Sequence, residues 1–145
     1  MKPVMQTTTG PRGNCMSACL ASIFEVPIEA VPNFYELAGD GAGPWWQAVR
    51  DWLKPRGFGV ITLTFEDAAL WDSLCLDGYH IVSGKSPRIE GSFHATVWHA
   101  GSMVHDPHPA QTGIAAPETL DLLYPLSPAT LRVESARSNA GGPQE

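Results

Sequence analysis

Three residues far apart in the chain have the side chains that nucleophilic acyl transfer needs: Cys15, His94 and Asp106. A thiol becomes a strong nucleophile when a neighbouring base takes its proton, and the base works best when a third group orients its ring. Cys15 follows a Gly- and Pro-containing loop, TTTGPRGN (7–14), and opens an apolar stretch. Unpaired amide N–H groups and the dipole at a helix start favour an anion, so a thiolate is expected to be stabilised here. His94 lies near the start of FHATVWH (93–99), and Asp106 closes SMVHD (102–106) ahead of Pro107. A turn at Ala100–Gly101 would join these two stretches into a hairpin, with His94 and Asp106 as cross-strand neighbours. The carboxylate would then hold one ring nitrogen and leave the other for the thiol. Each residue alone has a plainer reading: a buried cysteine, a satisfied strand histidine and an Asp–Pro turn. It is the combination, in this order, that points to chemistry.

The elements that must position these groups are legible in the spacing. From Asn14, a possible N-cap, Cys15, Cys19 and Ile23 share one helical stripe and Met16, Leu20 and Phe24 the adjacent one, which predicts a buried helix. Pro27 and Pro32 should end it. ELAGDGAGP (36–44) reads as a loop, with Pro44 at the first position of a second helix that carries Trp45, Trp46, Val49, Trp52 and Leu53. RGFG (56–59) should stop that helix. ITLTF (61–65) alternates as a strand with Ile61, Leu63 and Phe65 on one face, and a short helix is expected over Asp67 to Leu74. YHIVSG (79–84) is a strand, KSPRIEG a loop, residues 117–124 a short helix, and TLRVE (130–134) a last strand. Helices first and a mostly antiparallel sheet second make an α+β fold. We expect one domain over residues 1–134 and a disordered tail over 135–145.

The bulk composition narrows the class. The 145 residues suit one domain, and 43% hydrophobic against 17% charged residues is the balance of a chain that folds. The formal net charge is −6, and the nine Lys and Arg form no cluster, which argues against nucleic acid or an anionic membrane surface as partner. No apolar run approaches the roughly 18 residues of a membrane-spanning helix. The N-terminus has no apolar stretch after Lys2, so it does not read as a secretory signal. Three cysteines, an odd number, then read as reduced thiols in a cytoplasmic protein.

The segment Gln6 to Ile23, with its NCMSACLASI core, resembles the nucleophile helix of papain-like cysteine peptidases. It is most similar to the bacteriocin-processing, double-glycine-leader peptidase domains and their small bacterial and phage relatives. FHATVWHAGSMVHDP resembles their histidine hairpin ending in Asp–Pro. The resemblance covers roughly residues 3–26 and 78–109. It implies a papain-like fold and a thiol hydrolase acting on a peptide or protein, with Cys15 as nucleophile, His94 as base, Asp106 as orienting acid and no metal or cofactor. It also implies an oxyanion donor, a glutamine upstream of the cysteine. Gln6 is the one glutamine before Cys15 and is the candidate.

Other residues compete for roles. Cys19 is a resolving thiol or, more simply, core, and Cys75 has no polar motif near it. Alternation turns His99 and His105 away from His94, and His108 reads as a surface-loop residue, with the cleft as its alternative. Two further hypotheses stay open: a zinc centre built from Cys15, His94, Asp106 and His108, and a non-catalytic binding module using Trp45, Trp46 and Trp52.

Overall fold

The computed structural model describes residues 1–64 and 76–127. Phe65, the expected helix over Asp67–Leu74, Cys75, the expected strand over 130–134 and the expected tail over 135–145 lie outside the described residues. Among the described residues three helices, α1 (Cys15–Phe24), α2 (Phe34–Ala38) and α3 (Ala42–Leu53), precede five strands, β1 (Phe58–Thr64), β2 (Tyr79–Lys85), β3 (Phe93–His99), β4 (Ser102–His105) and β5 (Pro117–Pro125). The strands form one antiparallel sheet in the order β1-β5-β2-β3-β4. The fold class is α+β.

Helix α1 is buried from Met16 through Ser22 and packs on β3, where Ala95 and Val97 face it. Each fully buried aliphatic side chain here, Leu20 among them, stabilises the fold by about 1.5–3 kcal/mol. The helix stops where Glu25 takes a left-handed φ of 55° and Val26 N–H turns back to Ala21 O. Asn14 stands at the N-cap but makes no side-chain cap, contrary to expectation. Its Oδ1 instead accepts from Thr7 N (3.0 Å) and Thr8 N (2.9 Å), and its Nδ2 donates to Thr7 Oγ1. Asn14 thus braces the preceding loop and leaves the first amides of α1 free for another acceptor.

Two expectations are corrected. Residues 36–44 are not a continuous loop: α2 occupies Phe34–Ala38, capped by Asn33 Oδ1 on Tyr35 N, and α3 starts at Ala42. Pro44 is the third residue of α3 rather than the first, which costs nothing because the first four amides of a helix have no intrahelical acceptor. Residues 117–124 form no helix but strand β5, between β1 and β2 and bonded to both. Two open strand edges satisfy its backbone along its length, and tertiary pairing overrides its leucine-rich local preference. In β1, Ile61 and Leu63 share a face as expected, but both are exposed at this edge strand.

Among the aromatic residues, Trp52 lies in the core and donates to Ala30 O at 2.9 Å, and Trp45 and Trp46, edge-to-face with each other, pack against the same core. No single helix among the described residues is long and apolar enough to cross a membrane.

Gly84 of β2 pairs with His94 of β3, beside a register shift between β2 and β5. A Cβ built at Gly84 would lie 1.9 Å from the backbone oxygen of Ala116. The segment leading into β5 comes so close only because this residue has no side chain. Gly84→Ala must push backbone apart and is expected to cost about 1–3 kcal/mol or more, as overpacking does. Urea unfolding checks this, and an unchanged midpoint would refute it.

Candidate active site

The β3–β4 hairpin turns through Ala100 and Gly101, both at positive φ (48° and 77°), as two-residue hairpin turns require. The pairing runs from His99↔Ser102 to Val97↔His105, with one irregularity between Val97 and Trp98. Asp106 therefore lies just past the end of β4 and reaches His94 diagonally rather than as a direct cross-strand partner. Alternation puts His105 on the opposite face, where its Nε2 donates to Val4 O at 2.8 Å.

His94 Nε2 and Asp106 Oδ1 are 2.7 Å apart, and both residues are buried. Asp106 is held from several sides. Oδ1 also accepts His108 N (2.8 Å), Oδ2 accepts Gly113 N (2.7 Å), and Arg88 Nη1 lies 4.0 Å from Oδ2. Burial works to raise the Asp106 pKa, but these bonds together outweigh it and carry it below the usual carboxylate value. An ionised Asp106 must accept, so His94 Nε2 carries the proton and Nδ1 keeps its lone pair.

Cys15 is the first residue of α1 and is only half-buried, whereas Cys19, one turn on, is fully buried in the core. Cys15 lines one cleft with Gln6, Tyr35, Arg88, His94 and His108. The nearby backbone N–H groups of Ala95, Met16 and Cys15 itself favour the anion of the sulfur. Burial nevertheless has the larger effect and pushes the thiol above its ordinary pKa. Burial likewise lowers the His94 pKa, offset only in part by Asp106. Burial thus opposes the thiolate that the helix start favours, and it opposes the imidazolium as well. No hydrogen bond among the described residues joins Cys15 to the His94 ring. The two share the cleft, and the amide of Ala95, the residue after His94, acts on the sulfur.

Gln6 is buried and tied to the Asp106 segment by its own amide, which donates to Pro107 O at 3.0 Å. Its Nε2 donates to Thr8 O at 2.8 Å, which leaves one N–H uncommitted, and its Oε1 is buried without a partner among the described residues. Gly13 lets the loop wrap this amide: a Cβ there would stand 2.8 Å from Thr8 O and 3.3 Å from Gln6 Nε2.

His108 is not merely a surface-loop residue. It lines the cleft, with its ring 6.0 Å from that of His94, and its Nδ1 accepts Ala110 N. Arg88 was missed in the sequence, where it stands as one arginine in a loop. Nothing local reveals that this loop folds over Cys15. Among the described residues no three His, Cys, Asp or Glu side chains are arranged to hold a metal ion. Comparison with models of protein families, with curated proteins and with solved structures found no match for this chain.

Proposed function

We propose that the protein is a papain-like thiol hydrolase that transfers the acyl group of a peptide or protein substrate through a Cys15 thioester. The observation that carries this reading is the buried His94–Asp106 bond, which leaves Nδ1 as the free basic nitrogen in the cleft that Cys15 lines. His94 Nδ1 takes the Cys15 proton as the sulfur attacks the substrate carbonyl carbon. The C–S bond forms and the carbonyl electrons move onto oxygen. That oxyanion is held by the free N–H of Gln6 and the backbone N–H of Cys15. The intermediate collapses, the scissile C–N bond breaks, and His94 returns the proton to the leaving amine. Water, deprotonated by His94, then cleaves the thioester to a carboxylic acid and restores the thiol. The lowered His94 pKa suits this sequence, since His94 must be unprotonated to act as base.

The test is iodoacetamide alkylation of Cys15 against pH, located by peptide mass mapping. At pH 7 the rate should fall about tenfold or more in His94→Ala, a modest share of what a positioned base contributes to turnover. Because the His94 pKa is lowered, the acid limb of the wild-type profile should lie below 6.5. Equal rates in the two proteins would eliminate the reading.

A further inference from the structure

The loop between β2 and β3 is a closed turn: Ser86 N donates to Ser92 O (2.8 Å), Ser92 N to Ile89 O (3.2 Å), and Arg88 N to Ser86 Oγ (3.2 Å). It carries the Arg88 side chain into the Cys15 cleft, where the guanidinium is mostly shielded, with 17% of the side chain exposed. Nη1 is anchored on the opposite loop by Thr112 Oγ1 and by Gly113 O at 3.4 Å. Nε and Nη2 have no protein acceptor among the described residues. Arg88 is the one Lys or Arg among the described residues that line the cleft, and no Asp or Glu lines it. The Asp106 carboxylate lies behind the wall, 1% exposed, with Oδ2 4.0 Å from Arg88 Nη1, and is already hydrogen-bonded to His94, His108 and Gly113.

We propose that Arg88 is a substrate-binding residue that receives a carboxylate close to the scissile carbonyl, so that the site selects peptides with an acidic group beside the bond cleaved. This rests on the thiol-hydrolase reading. A guanidinium presents its donors in a planar fork that matches a carboxylate, and with Nη1 fixed the other edge is already oriented. Partial shielding strengthens the attraction relative to an exposed arginine. The cleft thus opposes the chain's overall formal charge of −6, which by itself suits a basic substrate.

The test compares iodoacetate with iodoacetamide on Cys15, which differ chiefly in a carboxylate. The rate ratio in folded protein is divided by the ratio for the same cysteine in urea. The ratio cancels changes in thiol ionisation, so it reads Arg88, whereas the iodoacetamide rate and its dependence on His94 read the hydrolase. The wild-type ratio should favour iodoacetate by about threefold or more and shrink with added salt. Arg88→Gln should bring it to about one, and Arg88→Lys should retain part of it. A wild-type ratio at or below one, a ratio insensitive to salt, or an unchanged ratio in Arg88→Gln would overturn the proposal. If Arg88→Gln does not fold, Arg88→Lys and the salt series decide it. If alkylation proves independent of His94 while the ratio still follows Arg88, the anion subsite stands and the hydrolase reading falls.

Discussion

Asp106→Asn should lower acylation of Cys15 by about a hundredfold or more, within the range that a positioned acid–base group contributes. One measurement is p-nitrophenol release from p-nitrophenyl acetate, with acetylation of Cys15 confirmed by mass. The carboxylate makes three hydrogen bonds, to His94 Nε2, His108 N and Gly113 N. Asparagine has one acceptor atom for the two oxygens. With its oxygen in the Oδ1 position, its NH2 faces the N–H of Gly113, donor against donor. With its NH2 there instead, it faces His94 Nε2 and drives the ring to the wrong tautomer. In both cases the negative charge that stabilises the imidazolium is gone. The buried amide left without an acceptor should also cost about 1–3 kcal/mol of stability. Rates should therefore be compared well below the variant's melting temperature. A variant that keeps its rate within about threefold of wild type would show that Asp106 is structural only.

The second large effect concerns stability alone. Asp121 of β5 is 2% exposed on the sheet face that α1 covers, paired with Ile81 and Thr62 and bonded to Thr62 Oγ1 at 2.7 Å. Burial raises its pKa from 3.8 to about 6, offset only partly by Thr62. A group whose folded pKa is raised binds more protons folded than unfolded. Its contribution is therefore full below pH 3.8 and is lost as pH rises toward 6. Above that, ionised Asp121 costs the fold about 3 kcal/mol. Asp121→Asn has no charge to bury, and its stability relative to wild type should climb between pH 4 and 6 and level off above 7 at a gain of up to about 3 kcal/mol. His94 and Asp106 also titrate differently in the folded state: with lowered pKa values, both contributions are lost as pH falls. They are common to both proteins and cancel in the difference. Paired urea titrations across this range check the slope; a difference that does not change with pH would refute the assignment to Asp121.

The pattern along the chain carried the element types wherever a long apolar stripe or a short apolar run stood between turn residues. The stripe from Cys15 to Phe24, the tryptophan-bearing helix and the strands at 79–85, 93–99 and 102–105 all stand where periodicity places them. The hairpin was legible because Ala100–Gly101 is short and its flanks alternate. β5 was not, because ETLDLLY suits either state locally and becomes a strand only between two partners far away in the chain. The α2 turn and the late proline of α3 escaped for a related reason: Asn33 caps a helix too short to show a period.

By itself, then, the sequence determined which side chains could do chemistry and on which kinds of element they sit, because residue type and spacing are local properties. It also placed His105 on the face away from Asp106, since alternation along a strand is local too. Only the tertiary structure decided what surrounds those groups. It turned Asn14 from a helix cap into a brace for the loop that follows Gln6, and it brought Arg88 over Cys15 from a turn that shows nothing of this in its own residues. It also set the balance of forces on the thiol. The amides of Ala95, Met16 and Cys15 favour a thiolate, but the surrounding protein removes more water from the sulfur than they replace. Desolvation depends on everything packed around a group, and that sum exists only once the chain has folded.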